Sequence, residues 1–320
     1  MLNINIKIAP QAQNAGAATE VDMTKYAIVD LGSNTIRLSV YEKKDGGDFD
    51  LLFSEKEMAG LAGYIEKGVM TEPGIARACE ALWHFRYLLH LFGMEEMHVF
   101  ATASLRNVTN TQEAVDEIRS RTGIRVEVIS GEQEARLGYY GALISAKLEQ
   151  GALFDVGGGS TELVTFADGR ILSAQSLDIG SLNLFQKHVE GLWPKKTEVT
   201  QIIEHINEEL RLLRLPREPV AHLCGVGGTA RAVLRLCGLV HRLPRQCRTL
   251  TAAQLDEVCM ILQQRERKTR DLVLRACPDR VHTIIPGALL IQTLCRTLHC
   301  QDLFVSPYGV REGYLCQKIQ

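Results

Sequence analysis

Apolar residues along this chain follow two rhythms. Short apolar runs that end in glycine and hydroxyl residues mark strands and turns, and a three-and-four spacing marks helices. The runs Tyr26-Ala27-Ile28-Val29 and Ala152-Leu153-Phe154 lead into Asp30-Leu31-Gly32-Ser33-Asn34-Thr35 and Asp155-Val156-Gly157-Gly158-Gly159-Ser160-Thr161. Ser39-Val40-Tyr41 and Val164-Thr165-Phe166 follow them. Each unit predicts strand, glycine turn, strand: a β-hairpin, not a strand-to-helix phosphate loop. The copies align without a gap over Asp-x-Gly, with Thr35 on Ser160 and Leu38 on Leu163. One such turn reads as a plain hairpin. Two in register predict related lobes facing one cleft.

Helical spacing at Ile75, Ala78, Cys79, Leu82, Phe85, Leu88 and Leu89 predicts a helix over Pro73 to Phe92. Met97 to Thr102 reads as a buried strand and Val126 to Ile129 as a short one. Ser130 and Gln133 then match a capping box, which predicts a helix from Gly131 to about Leu148 with Glu132 and Glu134 in its first turn near the cleft. Helical stretches are expected over Ser181 to Val189 and Val199 to Leu213, and a strand over Val220 to Cys224. A third glycine turn, Gly225-Val226-Gly227-Gly228-Thr229, opens a helix over Ala230 to Cys237 and would present helix N–H groups to an anion. From Leu255 to His299 the pattern is helical, with interruptions expected at Pro278 and Pro286. Val310 to Ile319 predicts a final short helix.

The 320 residues, 46% hydrophobic and 23% charged, are enough for two cores of common size. No apolar stretch approaches the eighteen or so residues of a membrane helix, and Met1 to Thr24 lacks the apolar core of a signal peptide. That opening reads as a flexible extension. Nine cysteines without a C-x-x-C pair read as buried hydrophobes in a reducing compartment, so the expected location is cytoplasmic. Arg231 to Arg280 holds eleven Lys or Arg against five Asp or Glu, a local +6 in a chain of net −2. A polyanion would be drawn to it; solvated helix faces are the alternative. Without interleaved aromatics, nucleic acid is not an expected partner.

Asp30-Leu31-Gly32-Ser33-Asn34, Ala101-Thr102-Ala103-Ser104-Leu105-Arg106, Ser130-Gly131-Glu132-Gln133-Glu134-Ala135-Arg136, Asp155 to Glu162 and Gly225-Val226-Gly227-Gly228-Thr229 occur in an ordered series. With Tyr308-Gly309-Val310-Arg311-Glu312-Gly313 near the end, the chain from about Tyr26 to Leu315 resembles the exopolyphosphatase / guanosine pentaphosphate phosphohydrolase (Ppx/GppA) family. The resemblance implies an α/β fold of two ribonuclease-H-like lobes, as in the actin-like, sugar-kinase and Hsp70-like ATPase superfamily. Residues 1–24 would be the extension, 25–131 the first lobe and 132–306 the second, with a C-terminal helix over 307–320 packing back on the first. It also implies a short form, ending where longer members continue into additional helical domains. Glu57-Met58-Ala59-Gly60-Leu61 departs from the family by lacking an arginine, and His282 stands where a small residue is common.

Hydrolysis of a phosphoanhydride needs charge neutralisation and a water aligned for attack. The resemblance places Glu134 at the general-base position; dipole compensation at a helix N-terminus is the alternative. Asp155 and Glu162, seven apart across the second hairpin, can hold hydrated Mg2+, or else serve as a turn cap and an exposed strand residue. Arg106 at a strand end can clamp a phosphate, or be a solvated loop arginine. Asp30, Ser33, Asn34, Gly157, Gly158, Gly159, Ser160, Gly227, Gly228 and Thr229 would form the anion cradle. The expected activity is magnesium-dependent removal of the terminal phosphate from inorganic polyphosphate or guanosine pentaphosphate, by a chain with no membrane partner and compatible with a homodimer. A nucleotide-dependent kinase or ATPase would need an adenosine site, and the chain has no G-x-x-x-x-G-K-S/T loop. A catalytically weak guanosine tetra- or pentaphosphate sensor is the non-enzyme alternative.

Overall fold

The computed structural model describes residues 24–44, 49–216, 218–220 and 222–319; the expected extension over 1–24 lies outside them except for Thr24. The chain begins with β1 (Lys25–Leu31), β2 (Ile36–Lys43) and β3 (Phe49–Glu57), then a small ribbon of β4 (Ile65–Glu66) and β5 (Val69–Met70). Next come α1 (Glu72–Leu91), β6 (His98–Ala101), α2 (Ala103–Arg106), α3 (Thr111–Thr122), β7 (Val126–Val128) and α4 (Gly131–Leu143). A second series follows as β8 (Gln150–Val156), β9 (Thr161–Ala167), β10 (Arg170–Leu177), α5 (Ser181–His188), α6 (Lys196–Leu210), β11 (His222–Val226) and α7 (Gly227–Val240). It closes with β12 (Thr249–Thr251), α8 (Ala252–Leu262), α9 (Arg267–Ala276), α10 (Ile284–Thr297), β13 (Asp302–Val305) and α11 (Val310–Lys318).

The sheet orders, β3-β2-β1-β6-β7 and β10-β9-β8-β11-β13-β12, carry the same plan twice. In each, an antiparallel three-stranded meander is extended by two parallel strands, β1 to β6 to β7 and β8 to β11 to β13. The repeated hairpin predicted two related lobes, and this is the ribonuclease-H-like architecture that the family resemblance implies, with β12 as an added antiparallel edge.

Strand periodicity decides what faces the middle of the molecule. In β1, Ala27, Val29 and Leu31 join the core under α1 and α3, so Ile28 and Asp30 point the other way. In β8, Ala152, Phe154 and Val156 join the core of the second helical layer, leaving Leu153 and Asp155 on the inner face. The same parity puts Arg37, Ser39 and Tyr41 of β2 and Glu162 of β9 inward. Between the inner faces lie α4 and α11: Val310, Tyr314 and Leu315 pack with Ile28 and Phe100, while Ala135, Tyr139 and Ala142 pack with Leu153 and Val164.

Both halves of the predicted capping box start α4, with Ser130 Oγ accepting from Gln133 N at 3.1 Å and Gln133 Oε1 from Ser130 N at 2.8 Å. The helix stops at Leu143, short of Leu148. Pro286 does not interrupt α10; it occupies the first turn, where a backbone N–H has no intrahelical partner to lose. The third glycine turn is tighter than expected, because Gly225 and Val226 complete β11 and α7 starts at once from Gly227 (φ 82°). His282, unexplained in sequence, meets Phe185 edge-on at 5.4 Å.

The crossing of α4 and α11 is close enough to exclude side chains. A methyl group added at Gly141 would overlap the Gly309 carbonyl, and one at Gly313 the Leu137 carbonyl. Gly313→Ala would gain roughly 0.5–1 kcal/mol of helix propensity, but overpacking against backbone costs about 1–3 kcal/mol or more. Net destabilisation is the expected result of urea unfolding, and a variant at least as stable as wild type would disprove the close approach.

Candidate active site

Both hairpin turns close with the same hydrogen bond, Gly32 N to Thr35 O at 3.1 Å and Gly157 N to Ser160 O at 2.9 Å. Their tips meet across the lobes. A Cβ at Gly159 would stand 2.6 Å from Ser33 Oγ, and one at Gly158 would be 3.4 Å from the Cβ atoms of Ser33 and Asn34. Glycine is therefore needed for the lobes to approach. The segment without an arginine has another job: Gly60 N and Ala62 N donate to Asn34 O and Ser33 O at 3.0 and 2.9 Å and brace the first turn. On the other side, Ser181 N and Leu182 N of α5 donate to the carbonyls of Gly157 and Gly158 at 2.9 Å each.

The turns and the α7 N-terminus enclose a cleft of about 130 Å3. Asp30, Ser33, Asn34, Glu134, Asp155, Gly157, Gly158, Gly159, Ser160, Gly227, Gly228 and Thr229 all line it. Arg106 and Glu162 do not; they form the layer behind Glu134. Arg106 Nη1 binds Glu134 Oε2 at 2.6 Å, Arg106 Nη2 approaches Glu162 Oε1 at 3.5 Å, and Ser176 Oγ donates to that same oxygen at 2.8 Å. Glu132 is outside, paired with Arg136 on the surface.

Four cleft cations escaped the sequence analysis as site residues. Arg37, Arg231, Arg280 and Arg311 line the cleft from β2, α7, the turn after α9 and α11. Arg231 was visible only as an end of the basic segment, Arg280 as its other end and as an arginine shared with the resembled family beside His282, and Arg311 only inside the last motif. Counting strand parity from Asp30 through the hairpin would have turned Arg37 inward. The fold thus splits the basic segment, sending its two end residues into the cleft and leaving the others outside. Arg311 Nη1 donates to Ser39 Oγ at 3.0 Å, and Arg231 Nη1 to Pro307 O at 3.3 Å. No side chain can grow from Gly227 or Gly228 without striking the Asp155 carboxylate or the Arg280 guanidinium.

Burial sets the electrostatics of all these groups. It lifts Asp30 from 3.8 to about 6 against the opposing pull of Arg311, and it raises Asp155 against Arg231 and Arg280. Glu162 rises to about 7 through burial and then Asp155. Glu134 is pushed well up by burial and next by Glu162, with Arg106 pulling back. Burial likewise lowers Arg37, Arg280 and, to about 10, Arg231. Asn34 Nδ2, Arg106 Nη2 and Glu162 Oε2 are buried without a hydrogen-bond partner. Open donors and crowded cations fit a polyanionic ligand, and a buried carboxylate beside it fits proton transfer.

Comparison with known proteins agrees. The sequence model of the Ppx/GppA phosphatase family matches residues 39–320. The chain is 26% identical to exopolyphosphatase 1 of Mycobacterium tuberculosis (strain ATCC 25618 / H37Rv) over 309 residues, covering 92% of this chain and 88% of that relative. It is 28% identical to exopolyphosphatase 2 of the same strain over 312 residues, covering 91% and 97%. The crystal structure of the Aquifex aeolicus member of the Ppx/GppA family superposes with a TM-score of 0.74 at 26% identity, covering 93% of this chain and 98% of that one.

Asp30 supplies a signed test. Its folded-state pKa is above the unfolded one, so its contribution to stability is complete below pH about 4 and is lost as pH rises through about 6. Roughly two units correspond to about 3 kcal/mol at pH 8. Asp30→Asn should therefore gain stability relative to wild type between pH 4.5 and pH 8 in urea titrations, and a pH-independent difference would refute the burial argument.

Proposed function

Because the chain belongs to the Ppx/GppA phosphatase family, we propose that it is an exopolyphosphatase, which hydrolyses the terminal phosphoanhydride of inorganic polyphosphate in the cytoplasm. The observation that carries this is the cleft itself, where four arginines and two glycine turns surround an anion site next to buried Glu134. Two of the relatives are named exopolyphosphatases. Guanosine pentaphosphate presents the same bond, but among the described residues no aromatic side chain lines the cleft to stack a guanine. The same lack weighs against an adenosine-dependent kinase or ATPase.

In this mechanism the terminal phosphoryl group lies against the backbone N–H groups of the two turns and the α7 N-terminus. Arg37, Arg231, Arg280 and Arg311 balance its charge and that of the leaving chain. Glu134 takes the proton of the attacking water, and the released orthophosphate and the shortened chain leave as anions. Arg106 holds the Glu134 carboxylate in one orientation and favours its ionised form. Glu162, with Ser176, fixes Arg106 from behind.

A divalent cation fits the donor set. Asp155 lines the cleft and is a hard oxygen donor of the kind Mg2+ prefers, whereas Glu162, its register partner on β9, lies behind it with Oε2 unpartnered. Among the described residues no group of three or more His, Cys, Asp or Glu is arranged for a metal, so water and substrate oxygens would complete the shell. Bound there, Mg2+ would neutralise phosphate charge as a Lewis acid.

Phosphate release from long polyphosphate, guanosine pentaphosphate and ATP, measured side by side with magnesium, should rank polyphosphate first; a clear preference for either nucleotide would reverse the assignment. Glu134→Gln should lower turnover by roughly a hundredfold or more while substrate still binds. Wild-type kcat/KM should fall at a higher pH than an ordinary carboxylate would cause, since Glu134 is raised. Near-normal turnover in Glu134→Gln would remove the base from the mechanism. Excess chelator should abolish activity, and Asp155→Ala should raise the magnesium requirement; activity indifferent to both would eliminate the metal.

A further inference from the structure

A second concavity opens beside the cleft. It has a volume of about 610 Å3 between α7, the 243–248 loop and the end of α9, and its cations are Arg231, Arg235, Arg245, Arg248 and Arg275. Among the described residues no carboxylate lines it, and none of the five forms a salt bridge. Arg235 Nε is tied to the Ala276 carbonyl at 2.8 Å, which anchors that guanidinium at the groove wall. Leu234, Leu243 and Pro244 supply apolar surface beside these cations. Arg231 belongs to both walls, lining the cleft and the groove. Arg231 is therefore common to the two anion-binding surfaces, which lie side by side.

We propose that this groove holds the distal phosphates of a linear polyphosphate whose terminal phosphate occupies the cleft. The assignment rests on the exopolyphosphatase reading and deepens it. An unbranched chain carrying negative charge at every phosphate suits a cluster of guanidiniums without salt-bridge partners, and the shared Arg231 sets that cluster next to the cleft. The fold also corrects the expectation drawn from the basic segment as a whole, because Arg242 does not line the groove whereas Arg275 does. Length discrimination follows directly. A chain long enough to fill the groove gains contacts that tripolyphosphate cannot reach.

The test is the triple variant Arg245→Gln, Arg248→Gln and Arg275→Gln, none of which lines the cleft. At low salt its kcat/KM on long-chain polyphosphate should fall about tenfold or more, with less than about a twofold change on tripolyphosphate. Retained tripolyphosphate activity also reports that the variant is folded. The loss should shrink toward 1 M salt, where the Debye length falls from about 10 Å at 0.1 M to about 3 Å. An equal loss on both substrates, or none on the long one, overturns the proposal. In wild type, the ratio of kcat/KM on long chains to that on tripolyphosphate should drop as salt rises, and a flat ratio is likewise contrary. If wild type releases phosphate from neither substrate, the exopolyphosphatase reading fails. The groove is then judged by calorimetric binding of long-chain polyphosphate, with weaker binding by the triple variant supporting it and equal binding rejecting it.

Discussion

The burial of charge of both signs in one small space governs this molecule. Four guanidiniums and a set of carboxylates converge where β1, β8, α4, α7 and α11 meet, and neither sign is fully compensated. Desolvation raises the acids and lowers the bases, so the free cleft is held in an electrostatically unfavourable state by the cores on either side. A phosphate chain offers what the arginines lack. Binding energy from such a ligand can be large because part of the unfavourable term has already been met by folding.

Two glycine-mediated contacts hold the cleft together. At its mouth, Gly158 and Gly159 allow the second hairpin to touch Ser33 and Asn34; at its back, Gly141 and Gly313 let α4 and α11 cross backbone to backbone. The back contact is reinforced by Tyr41, whose hydroxyl donates to Glu312 Oε1 at 2.5 Å, while Glu312 Oε2 accepts from Gly309 N at 2.8 Å. Glu312 thus ties the first sheet to the turn that presents Arg311. Moving one lobe against the other would disturb the base, the cation set and both turns at once.

Much of this was legible in the sequence because it is local. Asp-x-Gly after an apolar run, repeated in register, needs only neighbouring residues to declare a hairpin, and the capping box of α4 is contained in four positions. Strands β3 and β10 were missed because they lie at the outer side of each meander, where burial is partial and the apolar pattern is diluted. Helix α3 was missed for the same reason, since only Ala114, Ile118 and Thr122 are buried along it. Of the acidic members of the cleft, Asp30, Glu134 and Asp155 were found through their motifs, while Glu312 was not assigned to the site. Its cations come from four separate elements and converge only in three dimensions, so a count of positive charge along the chain could locate Arg231 and Arg280 but not their destination.

The bond between Tyr41 and Glu312 joins residues 271 positions apart. Contacts of such separation form late, since a long loop must close before they contribute anything. Until α11 docks, Arg311 is absent from the site. With that nine-residue helix undocked the anion site is incomplete, so the helix that closes the seam between the lobes also completes the charge of the cleft.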